Sequence, residues 1–159
     1  MEVEWREQIS ENKSNRPIIY VSTFGNFDVL VNGESINFER SKSKELLAYL
    51  VDRKGSGATT AEIASVLWED VERKKATNNA QQVISSLMRS LKEAEIKDIV
   101  IKKWNYLAIN PTKVICDYYA FLKGESWAIN AYMGEYMSQY SWAEMTTATL
   151  QNKMKINGK

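Results

Sequence analysis

Asn78, Gln82, Ser85 and Arg89 follow one another at steps of 4, 3 and 4 residues, so at about 100° per residue they share one face of a helix. An amide bonds adenine at two atoms, a guanidinium bonds guanine at two, and a hydroxyl adapts to several base edges. Side chains of these types in this spacing are suited to reading DNA bases. Lys75 and Lys92 flank them. The plain alternative is a surface helix, whose outer face is polar in any case. Amides and hydroxyls here stand in place of the Glu/Lys mixture of a solvating surface, which favours recognition.

The stretch that must position these residues is Lys75 to Ala94, KATNNAQQVISSLMRSLKEA. Ala80, Ile84, Leu87, Leu91 and Ala94 recur at steps of 4, 3, 4 and 3, and this narrow apolar seam predicts a helix buried on one side only. Ahead of it, Ile18 to Phe38 alternates as strands do, with Asn32-Gly33 supplying a tight turn, and predicts a meander of three short antiparallel strands. Leu46, Leu47, Leu50 and Val51 make a helical stripe over Ser41 to Arg53, with Ser41 or Ser43 as the expected cap and Gly55 at its end. Thr59-Thr60-Ala61-Glu62 has the capping-box pattern before Ile63, Ala64, Leu67 and Trp68, so a second helix is expected there. Gly55-Ser56-Gly57 is too short for a phosphate loop and lies where a turn between helices belongs. Asp98 to Asn110 reads as a hairpin, with Ile99 and Ile101 on one side and Lys102-Lys103-Trp104-Asn105 as its turn. A basic, aromatic-tipped hairpin after a polar helix forms a wing able to lie on phosphates; a hairpin that merely finishes a sheet is the alternative.

Composition narrows the function classes. With 159 residues, 44% hydrophobic and 26% charged, the chain fits one globular domain with an appendage. The expected division is a polar lead over residues 1–16, a domain over 17–111 and a helical extension over 112–159. No apolar run approaches the roughly 18 to 20 residues that span a bilayer, and MEVEWREQIS lacks a signal-peptide pattern; the expectation is a cytoplasmic protein with no membrane partner. Histidine is absent and Cys116 is the single cysteine, so an intramolecular disulfide is excluded, and no metal site, no cofactor and no enzyme activity are expected. The net charge is +1, but Arg16 to Lys113 carries 15 Lys and Arg against 12 Asp and Glu, a modest excess compatible with phosphate contact.

Three strands, three helices and a hairpin, as carried by Phe24-Gly25-Asn26-Phe27-Asp28-Val29, Ser43 to Leu50, Glu62 to Trp68 and Ser85-Ser86-Leu87-Met88-Arg89-Ser90-Leu91, resemble the winged helix-turn-helix of the OmpR/PhoB class. The resemblance covers residues 18–111 and is nearest the SARP-like bacterial transcriptional regulators. Cys116 to Phe121 and Ala131 to Trp142 look like the opening of the helical-repeat domain that follows in those activators, although the family version is several times longer. Two departures stand out. Leu87-Met88-Arg89 replaces the usual Leu-Arg-Arg, and Lys103-Trp104-Asn105-Tyr106 replaces a Gly-x-Gly-Tyr wing.

The resemblance implies an α+β fold and a DNA-binding regulator. Asn78, Gln82, Ser85 and Arg89 would read bases; Lys74, Lys75, Thr77, Lys103 and Trp68 would position phosphates. Trp68 also lies on its helix's apolar stripe, so core packing competes. Arg40, Lys42 and Lys44 form a basic cluster that is either solvated or on DNA. Trp127, Tyr132, Tyr136, Tyr140 and Trp142 are expected to pack helix on helix and not to cage a ligand. Expected partners are double-stranded DNA, a second copy through the C-terminal helices, and RNA polymerase. The rival is a protein-interaction module on the same fold, favoured by the low net charge, Met88 and the abbreviated tail.

Overall fold

The computed structural model describes residues 16–156, so the expected polar lead, Arg16 apart, lies outside the described residues. The architecture is α+β and compatible with a winged helix. Two compact units are formed. One draws on residues up to Ile36 and from Val114 onward, the other is Asn37–Lys113.

In the first unit, strands β1 (Ile19–Ser22), β2 (Asp28–Val31) and β3 (Glu34–Ser35) form the expected antiparallel meander. Its second turn places Asn32 at φ 50° and Gly33 at φ 87°, the left-handed pair that a two-residue hairpin matching strand twist requires. The sheet has a further strand: β6 (Ile115–Cys116) pairs parallel with β1, giving the order β3-β2-β1-β6. β1 is therefore central, and Tyr20 on one face is buried along with Ile19 and Val21. Two residues carry no readable alternation, which is why β6 is invisible as sequence. Helices α4 (Asp117–Leu122), α5 (Ser126–Ala131) and α6 (Glu144–Ile156) complete this unit.

Asp117 ties the sheet to α4. Its buried carboxylate accepts from the Thr23 and Phe24 N–H groups, from its neighbour Tyr118 N–H, and from the Thr23 hydroxyl. Burial pushes this carboxyl up from its ordinary value, while the donors pull it back. The aromatic residues depart from helix-on-helix packing. Tyr132 meets Phe24 and Phe121 at 5.1 and 5.6 Å, and Tyr136 lies in a loop segment bridged to Phe24, with the Met137 N–H donating to the Thr23 carbonyl. Trp127 is 6.4 Å from Tyr20, and Tyr140 stacks on Trp142.

In the second unit, α1 (Ser41–Asp52), α2 (Thr60–Leu67) and α3 (Arg73–Glu93) enclose a core with Leu46, Leu47, Leu50, Ile63, Leu87 and Leu91 at its centre. The capping box forms as the spacing predicts, Thr59 Oγ1 accepting from Glu62 N–H and Glu62 returning the bond, each at 3.2 Å. The cap expected on α1 does not form. Arg40 is its N-cap residue without a side-chain bond, because the buried Ser43 hydroxyl bonds instead to Ser86 of α3 at 2.9 Å. α3 begins two residues earlier than expected, since Glu72 caps it by accepting from Lys74 and Lys75 N–H groups.

The hairpin is β4 (Val100–Lys103) and β5 (Tyr106–Ile109). Ile99 and Ile101 do not share a side. A 3-10 turn over Lys97–Ile99 buries Ile99, and Val100 then points inward while Ile101 is exposed. Gly55-Ser56-Gly57 leads into a third strand-like contact, in which Ala58 and Leu107 exchange backbone bonds at 2.8 and 2.9 Å. A Cβ on Gly57 would lie 2.6 Å from the Leu107 carbonyl oxygen and the Tyr106 ring, so this close approach requires glycine.

Candidate nucleic-acid interface

Along α3 the buried seam is Ala76, Ala80, Val83, Ile84, Ser86, Leu87, Ser90 and Leu91. Asn78, Gln82, Ser85 and Arg89 are all exposed on the other side. Twenty-one residues at 1.5 Å each make a rod of about 30 Å. A helix of this girth enters the major groove, which is about 12 Å wide.

Lys74 and Lys75 are exposed in the first turn of α3, after Arg73. No acidic residue lies within that turn. Cations there oppose the helix dipole, so helix stability does not explain them; the Glu72 carboxylate already accepts from the Lys74 and Lys75 N–H groups, so the exposed Arg73, Lys74 and Lys75 side chains, and not the helix terminus itself, are what this end offers a phosphate. Thr77 is half-buried and its hydroxyl donates back to the Arg73 carbonyl at 3.0 Å, leaving the oxygen's acceptor capacity.

Beside α3 runs an open cleft of about 770 Å³, lined on the helix by Arg73, Thr77, Gln81 and Ser85 and on the hairpin by Lys102 to Leu107. Lys103 is exposed, and Trp104 at the tip is 93% exposed. Asn105, at φ 55°, closes the turn that a glycine makes in the resembled family, and its side-chain oxygen accepts from Thr60 N–H at 3.3 Å. Tyr106 donates to the Ser56 carbonyl at 3.1 Å. The tip is thus tied to the start of α2, whose Thr60 and Ala61 also line the cleft.

The other flank of α3 has a smaller depression of about 360 Å³ bordered by Arg40, Lys42, Trp68, Asn79 and Gln82. Gln82 and Ser85 therefore open to different sides of the helix. Lys42 is largely committed within the protein: its ammonium donates to Glu45 and to the Leu67 carbonyl, each at 2.9 Å, and lies 5.4 Å from the centre of the half-buried Trp68 ring. It caps the C-terminal end of α2 as a cation should. Lys44 is half-buried on α1.

Arg89 is also engaged. Its Nε and Nη2 donate to the two oxygens of Glu39 at 3.1 and 2.9 Å. The pair holds the Glu39 carboxyl below the usual carboxylate range and the Arg89 guanidinium above its own.

Gln81 and Arg73 join this surface without having been expected as contacts, and Trp104 stands on it as the aromatic tip expected of the hairpin. Gln81 could have been found: it lies four residues before Ser85 and four after Thr77, on the edge of the same polar face. Glu39 carries no such signal, being 50 residues from Arg89.

A scan of protein-family models gives no match, and neither does a search of curated proteins. Among solved structures the chain is similar to that of Mycobacterium tuberculosis EmbR in complex with a low-affinity phosphopeptide, with a TM-score of 0.64 at 17% identity over 89% of this chain. The match covers 44% of the EmbR chain, so this protein spans under half of that length. At this identity the likeness establishes a shared fold.

Proposed function

We propose that this protein is a sequence-specific DNA-binding transcriptional regulator, with α3 inserted in the major groove and the β4–β5 hairpin laid along the flanking backbone. The observation that carries it is the outer face of α3: Asn78, Gln81, Gln82, Ser85 and Arg89 are exposed over three turns, beside a cleft whose far wall is the basic hairpin. Base reading falls to Asn78, Gln82, Ser85 and Arg89, to which Gln81 is added. Lys74, Lys75, Thr77 and Lys103 position phosphates, with Trp68, Lys42 and Lys44 at the margin. The fold shared with EmbR is compatible with a winged-helix regulator and supports the reading without extending it.

Residues 17–111 serve in this proposal as the DNA-binding segment and 112–159 as the extension. The modest charge excess favours two copies on adjacent half-sites, joined through the C-terminal helices, with RNA polymerase as a further partner in the cytoplasm. No reaction is assigned to the chain. Among the described residues no helix is long and apolar enough to cross a membrane.

Selection of bound sequences from a random duplex pool at moderate salt tests the proposal. Enrichment of a short half-site, lost or relaxed in Gln82→Ala and Arg89→Ala, supports reading by α3. Lys103→Ala should reduce the salt slope by about 1 while leaving the preferred sequence intact. A pool without enrichment, and binding that vanishes at physiological salt, would sink it. The second reading, a protein-interaction module, is favoured by the net charge of +1 and by an Arg89 already paired with Glu39; it predicts that outcome.

A further inference from the structure

We infer that Glu39 is a positioning residue for base reading: it fixes the plane of the Arg89 guanidinium so that the remaining edge of that group meets a guanine. The inference rests on the DNA-reading proposal above and assigns a role to a residue outside the expected contact set.

Glu39 lies two residues before α1, yet its backbone is anchored to α3, because its N–H donates to the hydroxyl of Ser90 at 3.0 Å. Ser90 is 2% exposed, so the anchor is not a mobile surface group. One helical turn away, the buried Ser43 and Ser86 hydroxyls join α1 to α3 at 2.9 Å. The carboxylate of Glu39 is thereby presented from a backbone fixed relative to the helix it serves.

Two parallel bonds, to Nε at 3.1 Å and Nη2 at 2.9 Å, define the orientation of a planar fork. A guanidinium carries five N–H groups, and the pair uses two of them. The edge formed by Nη1 and the second Nη2 hydrogen retains two parallel donors, the arrangement that matches guanine O6 and N7. Arg89 and Glu39 are 54% and 41% exposed, so the pair lies at the surface and not in the core. A long side chain free to rotate would lose rotamer entropy on docking, and the clamp removes part of that loss beforehand. An exposed ion pair adds little to stability, which leaves orientation as the property that this one supplies.

The test compares the full chain with Glu39→Ala, Glu39→Gln, Arg89→Ala and the Glu39→Ala/Arg89→Ala double variant. Affinity is measured for the selected duplex and for duplexes changed one base pair at a time. Arg89→Ala should erase discrimination at one base pair, about 5- to 150-fold for a bidentate contact. Glu39→Ala should lower discrimination at that same pair by about 3- to 10-fold, a part of the bidentate effect, and Glu39→Gln by less. The double variant should be no worse than Arg89→Ala, the non-additivity expected of residues acting as a unit. Melting temperatures within a few degrees of the parent confirm folding, and Glu39→Gln preserves the comparison should the alanine variant be unstable.

The inference is overturned if Glu39→Ala leaves discrimination at that pair unchanged. It is equally overturned if the variant shifts affinity for every duplex by one common factor, the mark of a charge effect alone, or deepens the Arg89→Ala loss. Failure of the parent chain to select any sequence defeats the DNA reading itself, and this inference with it. A selected half-site with discrimination indifferent to Glu39 defeats only this inference.

Discussion

Asp117 is 3% exposed and its carboxylate is surrounded by donors from Thr23, Phe24 and Tyr118. Asn78, Gln82 and Ser85 on α3 are exposed, and Arg89 in the same row has given two of its five N–H groups to Glu39. Both regions are polar, but their groups are used differently. Around Asp117 the hydrogen-bonding capacity is consumed inside the fold, where an unmet donor costs the most. On α3 the capacity faces outward, and water satisfies it until a partner does. A polar residue therefore points to function less by its type than by whether the protein itself uses up its donors and acceptors.

The contrast is sharpest in stability. Asp117→Ala leaves the buried donors of Thr23 and the half-buried Phe24 N–H without an acceptor, and should cost about 3 kcal/mol or more, read as a lower denaturation midpoint in urea. A loss below about 1 kcal/mol would mean that water reaches the site and that the two regions are less different than they look. Gly57→Ala should follow at about 2 kcal/mol, since φ is 74° there and the added methyl meets the Leu107 carbonyl and the Tyr106 ring at 2.6 Å. DNA affinity should fall with it, because the contact that seats the hairpin is the one disturbed; a variant with unchanged melting and binding would show that the hairpin is not held there.

Thr59→Ala should cost about 1 kcal/mol through loss of the α2 cap, and the pH dependence has a definite sign. Bonds from the Thr59 backbone and side chain hold the Glu62 carboxyl below its ordinary 4.5. The folded state thus binds that proton more weakly than the unfolded state, so the stabilisation is present above pH 4.5 and is lost as pH falls through the lowered value. The gap between parent and variant should narrow on acidification, and a gap that widens would contradict the capping box. Smallest in stability is Gln82→Ala, within about 0.5 kcal/mol of the parent on thermal melting, although base discrimination should fall. A large destabilisation there would place Gln82 with Asp117, among groups the fold itself requires.

Local chemistry was enough for most of the elements, β6 and the first turn of α3 excepted. The Asn32-Gly33 turn, the box Thr59 to Glu62, and the seam Ala80, Ile84, Leu87 and Leu91 appear where their spacing puts them, because each depends on residues within one or two turns of itself; Ala94, expected on the same seam, instead caps the end of α3 and is half-buried. The same periodicity sorted α3 into an inner and an outer face, so the exposure of Asn78, Gln82, Ser85 and Arg89 was legible in the sequence alone. Partners separated along the chain were not. Only the tertiary structure decided that Ser43 bonds Ser86 in place of capping α1, that Glu39 clamps Arg89, that Asp117 collects the donors of residues 23 and 24, and that β6 lies parallel to β1. These contacts join residues 43 to 95 positions apart. A repeat of 2 or 3.6 residues states which way a side chain faces; what it faces depends on how distant segments pack.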